Sequence, residues 1–189
     1  MSSTPADWST RHSVLTTAQR TADLVNTLAD GHPEPADVAD VLRAYGESDP
    51  IDLSARDLTE MRAAAAGLRE VFAAGDTDTA ASALTRLLRE HTGPLRLSSH
   101  DGTTPWHPHL DSADDAPWAE WFLASSCMAL TVLVWDRQRP PGGICDSPSC
   151  THVYIAQGSG PPRRYCSRRC ATRERVAAHR RARAAQDPG

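Results

Sequence analysis

The stretch "ICDSPSCTHVYIAQGSGPPRRYCSRRC" holds four of the chain's five cysteines in two close pairs, Cys145/Cys150 and Cys166/Cys170, with fifteen residues between the pairs. Two such pairs around a short loop are the spacing of a structural zinc site, in which four thiolates close a tetrahedron at about 2.3 Å Zn–S. Few apolar side chains surround them: Ile144, Val153, Tyr154, Ile155, Tyr165 and Val176. A module this small cannot bury a sufficient core and depends on its metal to fold. Four sulfurs fill the coordination shell and leave no open position for water, so the expected Zn2+ is structural and not catalytic.

The competing use of paired cysteines, a disulfide framework, belongs to oxidising compartments. The N-terminal "MSSTPADWSTRH" has no apolar run behind a basic start and does not read as a secretory leader. The longest apolar window, Trp121–Trp135, is fifteen residues long, short of a bilayer span, and is expected to be a buried helix. A cytoplasmic protein without membrane contact is therefore expected, and metal binding is favoured over disulfides.

Charge divides the chain at the same place. Residues 1–136 carry 9 Arg against 21 Asp and Glu, a balance of -12, whereas residues 137–189 carry 11 Arg against 3 acids, a balance of +8. Such asymmetry is that of a basic module attached to an acidic body. The segment "SRRCATRERVAAHRRARAAQ" is rich in helix formers and free of Gly and Pro, with Ser167 placed to cap it. Arg169, Arg173, Arg180 and Arg183 share one broad helical face, Arg168, Arg175 and His179 widen it, and Arg163 and Arg164 continue the patch upstream. Guanidinium pairs bidentately with phosphate and guanine, so this helix is a candidate DNA contact surface. Docking on an acidic protein surface is the alternative use of the same charge.

The acidic body reads as mainly helical. Val14, Ala18, Ala22, Val25 and Leu28 recur at three and four and mark one helix; "PADVADVLRAYG" marks a second. Ser54 and Asp57 form a capping-box start for a third, with Leu58, Met61, Ala65, Leu68 and Phe72 inward. A fourth follows Asp76 through Leu84, Leu87 and Leu88. "PLRLSSHDGTTPWHPHLD" reads as a hairpin turning at Asp101-Gly102. The last body helix, apolar almost all round, is expected to be central, with Asp114 or Asp115 as N-cap and Pro117 in its first turn. His107 and His109, two apart on a strand, face one way and would share a metal given a third ligand; none is signalled nearby, so they read as surface histidines. Cys127 reads as a buried thiol. Phosphate loop, nucleophile elbow and open metal site are all missing from the sequence, so an enzyme is not expected.

These residues resemble a known family. "CDSPSC", "HVYI", "RRYCS" and "CATRERVAAHRRAR" are similar to the CGNR zinc finger, and "ADLVNTLAD" resembles the opening of the ABATE domain that precedes it, with Asp23, Asn26 and Thr27 on matching positions. The Gly and Asn of the finger's signature are Ala171 and Thr172 here, Cys170 and Arg173 are kept, and the family's polar loop is replaced by "AQGSGP", residues 156–161. The resemblance implies a bacterial, stress-related transcriptional regulator.

The expected architecture is mainly α: a flexible stretch at 1–13, a helical ABATE-like domain with a small hairpin at 14–136, a linker at 137–143, and a treble-clef-like finger ending in a basic helix at 144–185. Cys145, Cys150, Cys166 and Cys170 are the expected Zn2+ ligands. Arg163, Arg164, Arg168, Arg169, Arg173, Arg180 and Arg183 are the expected DNA contacts. Asp23 and Asn26 are the candidate ligand-binding groups of the body, with a helix-packing hydrogen bond as the favoured alternative role. The partners considered are DNA, a small molecule or protein for the helical domain, and a second copy of the chain in a homodimer.

Overall fold

The computed structural model describes residues 10–156 and 163–186; the expectations for residues 1–9 and for most of the "AQGSGP" loop lie outside them. In chain order the elements are α1 (Thr10–Ala29), α2 (Pro35–Ala44), α3 (Ala55–Ala73), α4 (Thr77–His91), β1 (Arg96–Ser98), β2 (His107–His109), α5 (Trp118–Arg137), β3 (Gly142–Ile144), β4 (Val153–Ile155) and α6 (Arg168–Gln186). Helix α1 begins at Thr10, inside the stretch expected to be flexible.

Local signals account for the helix starts. Ser54 accepts from the Asp57 amide while the Asp57 carboxylate accepts from the Ser54 amide, so both ends of the capping box are made. Asp76 caps α4 through the Thr79 amide at 2.7 Å. The start of α5 differs from expectation. Pro117 is its N-cap, and Asp114 instead accepts from Arg96 and Ser98 at 2.5 and 2.6 Å. The carboxylate stays with the hairpin because a guanidinium and a hydroxyl outcompete a helix amide for it.

Helix α5 is long and apolar enough to cross a membrane by length and composition, but it is the central helix of the body. It packs on α1, α3 and α4, with Phe122, Cys127 and Leu130 fully buried. Most of the polar groups inside are paired: the Thr21 and Ser126 hydroxyls meet at 2.8 Å, and buried Arg20 reaches Ser125 at 2.8 Å and Glu47 at 3.1 Å, whereas the Thr131 hydroxyl and Arg20 Nε have no partner among the described residues. Buried hydroxyls and charges cost stability unless paired in this way. The Cys127 thiol, buried as expected, is pushed up to about 12 by desolvation and is inert at neutral pH.

The first hairpin pairs β1 and β2 antiparallel, with Ser98 opposite His107 and Arg96 opposite His109. Its apolar side chains point outward: Leu97 is 63% exposed and Trp106 72%. Ser98 and His109 are the residues it turns inward.

Gly142 and Gly143 are the last residues of the stretch expected to be a linker. They form β3, which pairs with β4 so that Gly142 lies opposite Ile155 and Gly143 opposite Tyr154. The "RRYC" segment, residues 163–166, is not part of this pairing. Glycine is required at 142 because a Cβ there would stand 1.8 Å from the Tyr154 carbonyl oxygen and 3.0 Å from a ring carbon of Phe72 on α3. Neither a strand backbone nor a fully buried ring can retreat that far. Gly142→Ala is therefore expected to cost about 3 kcal/mol, the upper range for overpacking, as a lowered midpoint in chemical denaturation.

Beside β3, strand β4 inserts Val153 and Ile155 into the same hydrophobic cluster as Leu24, Val25 and Phe72. The small hairpin thus has no separate core; it borrows that of the helical body. Asn26 of α1 completes the junction. Its amide oxygen accepts from the Val153 amide at 2.7 Å and its amide nitrogen donates to the Val153 carbonyl at 3.1 Å. One side chain thereby stands in for a missing neighbouring strand.

Candidate metal centre and basic helix

Cys145 and Cys150 sit on the turn that joins β3 to β4, Cys166 precedes α6, and Cys170 lies in the first turn of α6. The turn is shaped by backbone bonds: Cys145 donates to the His152 carbonyl and Cys150 to the Ser147 carbonyl, both at 2.8 Å. At the other pair, Ser167 caps α6 by accepting from the Cys170 amide at 3.2 Å. Cap and helix geometry bring Cys166 and Cys170 onto one side.

The four sulfurs lie within 4.8 Å of one another. Cys150 and Cys166 are 3.6 Å apart and Cys166 and Cys170 3.7 Å, close to the roughly 3.7 Å that a tetrahedron with Zn–S of about 2.3 Å requires. All are free thiols. The donor set and spacing fit a tetrahedral Zn2+. Without a metal, burial and the neighbouring thiols raise the Cys166 pKa while the Ser167 hydroxyl lowers that of Cys170, and a bound cation favours the thiolate form of every ligand.

A second set of contacts braces the knuckle. Arg173 donates to Ser147 Oγ at 2.7 and 3.2 Å and to Cys170 Sγ at 3.4 Å, and Ser147 Oγ reaches Glu174 at 2.5 Å. Donation from a guanidinium to a ligating sulfur stabilises its negative charge and fixes the helix against the turn. Arg163 is likewise turned inward, bonding the Tyr165, Cys166 and Ile155 carbonyls with its guanidinium 5.0 Å from the Tyr154 ring. Arg164 pairs with Asp146 at 2.8 Å.

The remaining expected contacts behave differently. Arg168, Arg169, Arg180 and Arg183 are exposed and have no ion pair among the described residues. Arg175 and Arg181, outside the expected contact set, are exposed in the same way. Beyond Cys170 no described side chain of α6 is buried, and past the Arg173 and Glu174 contacts with Ser147 the helix projects as a positively charged arm. Its anchor is the cysteine cluster.

Asp23 and Asn26 line a cleft of about 430 Å³ between α1 and the knuckle, together with Cys150, Cys170 and Arg169. Both polar atoms of the Asn26 amide are taken by Val153. Asp23 accepts from the Tyr45 hydroxyl at 2.5 Å and from Gln19 at 3.2 Å. Burial, reinforced by that carboxylate, raises the Tyr45 pKa and keeps the hydroxyl a donor.

A helical domain joined to a four-cysteine knuckle that carries a basic helix defines a zinc-finger protein. Comparison with protein families agrees over nearly the whole chain: the CGNR zinc finger matches residues 143–183, and ABATE, described as "Putative stress-induced transcription regulator", matches residues 18–137. The chain belongs to the ABATE family. No curated protein matches it.

Proposed function

We propose that this protein is a DNA-binding transcription regulator in which Zn2+ in the four-cysteine centre holds α6 out as the DNA-contacting element. The observation that carries this reading is the exposed arginine set, without ion pairs among the described residues, on a helix of which no described side chain is buried beyond Cys170. Six guanidinium groups without carboxylate partners among the described residues, in a chain whose body is strongly acidic, suit an external polyanion. Arg168, Arg169, Arg175, Arg180, Arg181 and Arg183 form the proposed contact set. Arg163 and Arg173 act within the finger, by holding its turn and its ligands, and Arg164 lies at the margin. Asn26 is a clamp for β4 and not a ligand group. The helical body is the receiving domain for a small molecule or protein, through the cavity of about 870 Å³ lined by Arg20, Trp118, Trp121 and Met128. A cytoplasmic, non-enzymatic protein fits this role.

Binding of the zinc-loaded full chain to mixed-sequence duplex DNA at several salt concentrations tests the reading. Log affinity is expected to fall linearly with log salt, with a slope of about 0.9 per phosphate neutralised. Absence of DNA binding at low salt, with the chain folded and metal-loaded, would leave docking on an acidic protein as the use of α6.

A further inference from the structure

The turn between β1 and β2 brings a third histidine to the pair on the strand. His100, His107 and His109 each offer a ring nitrogen, and these nitrogens lie within 4.8 Å of one another. His107 and His109 share the inner face of β2, with Pro108 between them pointing outward. His100 arrives because the turn passes through left-handed backbone at His100, Asp101 and Gly102, with φ of 46°, 54° and 81°. For the two non-glycine residues that conformation costs stability and persists only where surrounding contacts hold it.

The hydrogen bonds on the far side of each ring decide what the near side can do. His107 Nδ1 is 2.8 Å from the Pro105 carbonyl oxygen, which can only accept, so the proton sits on Nδ1. His109 Nδ1 is 3.0 and 3.1 Å from the two carboxylate oxygens of Asp111, itself ion-paired with Arg96, so its proton also sits on Nδ1. With Nδ1 so engaged on both rings, the two Nε2 atoms face each other 3.0 Å apart. Lone pairs at that separation repel unless a cation lies between them. His100 Nδ1 stands 3.4 Å from Asp114, and the His100 ring centroid is 5.1 Å from each of the other two rings. A proton can bridge two nitrogens; three imidazoles, each braced at Nδ1 by a carbonyl or carboxylate, are the arrangement of a metal centre.

We propose that His100, His107 and His109 form a second metal site that takes a borderline divalent transition ion, Zn2+ foremost. Imidazole nitrogen is a preferred ligand of such ions, and Zn–N of about 2.0–2.1 Å places ligand nitrogens about 3.3 Å apart. The closest pair is already near that value. The widest has up to about 1.5 Å to close, within reach of a half-buried ring on a turn. Three protein ligands leave a fourth position, and the histidines stand in the wall of the 870 Å³ cavity of the body. The site is independent of the cysteine knuckle and of any DNA role for α6.

The test is zinc content by elemental analysis after dialysis of the full chain against low-micromolar Zn2+. The wild type is expected to hold two zinc ions per chain, His107→Ala one, Cys166→Ser one, and the double variant none. Circular dichroism of each chain checks that the body is folded; His107 is only half-buried, and its loss is expected to leave the helices intact. Equal zinc content in folded wild type and His107→Ala, or a wild type holding a single ion, would overturn the proposal and assign the histidine cluster to a shared proton.

Discussion

Replacing Cys166 by serine is expected to remove one zinc ion per chain and to release α6, while most of the helical signal of the body persists. Cys166 contributes a sulfur 3.6 Å from Cys150 and 3.7 Å from Cys170, so its loss opens the tetrahedron on two sides. Structural zinc contributes about 10–16 kcal/mol of apparent binding free energy at neutral pH, far more than the contacts of this knuckle can replace. The damage is nonetheless bounded. Strands β3 and β4 stay attached through Val153 and Ile155 in the body core and through the Asn26 clamp. The loss in circular dichroism should match α6 alone, and thermal unfolding of the body should remain cooperative at a lower midpoint. The same release is expected on acidification of the wild type, because protons compete with zinc for thiolates and metal affinity falls as pH falls. Full zinc content in Cys166→Ser would show that the cysteines do not hold the ion together.

Replacing Arg168, Arg169, Arg180 and Arg183 together by alanine is expected to flatten the log affinity against log salt by roughly four units, about one per lost phosphate contact. Zinc content and unfolding midpoint should not change, since none of the four has an ion pair among the described residues. If one of them reads guanine, its single substitution should cost about 1–3 kcal/mol at one base position only. Arg173→Ala should behave in the opposite manner. Its guanidinium is spent on Ser147 and Cys170, so zinc retention should fall first and DNA binding only as a consequence. An unchanged salt slope in the fourfold variant would exclude α6 as the contact surface.

These contrasts depend on details that differ in how far the sequence reveals them. The helices of the body were legible because apolar residues recur at helical spacing and because Ser54, Asp57 and Asp76 supply local caps. The cysteine centre was legible for the same reason: each ligand pair is close in sequence, and thiolates at that spacing have few other uses. The cap of α5 was misread, since Asp114 had a local role to play but found Arg96 and Ser98 across the hairpin.

The arginines show the same division. Arg163, Arg169 and Arg173 are alike in composition and near one another along the chain, yet two are folded inward and one is free. Only the position of the Ser147 turn and of the Tyr154 ring separates them. Arg181 was passed over because a helical face drawn by periodicity assumes that one side of α6 is covered, and no described side chain beyond Cys170 is buried.

What the sequence by itself determined is everything carried by short-range order: the helical body, the two cysteine pairs, the split of charge between body and tail, and the family to which the chain belongs. Tertiary structure decided the rest. It paired Gly142 and Gly143 with β4 where Tyr154 and Phe72 leave no room for a Cβ at 142, and it set Asn26 against a strand 127 residues away. It also closed a three-histidine cluster through a left-handed turn. Each of these rests on which surfaces meet in space, and that follows from the burial of a common core rather than from any local propensity.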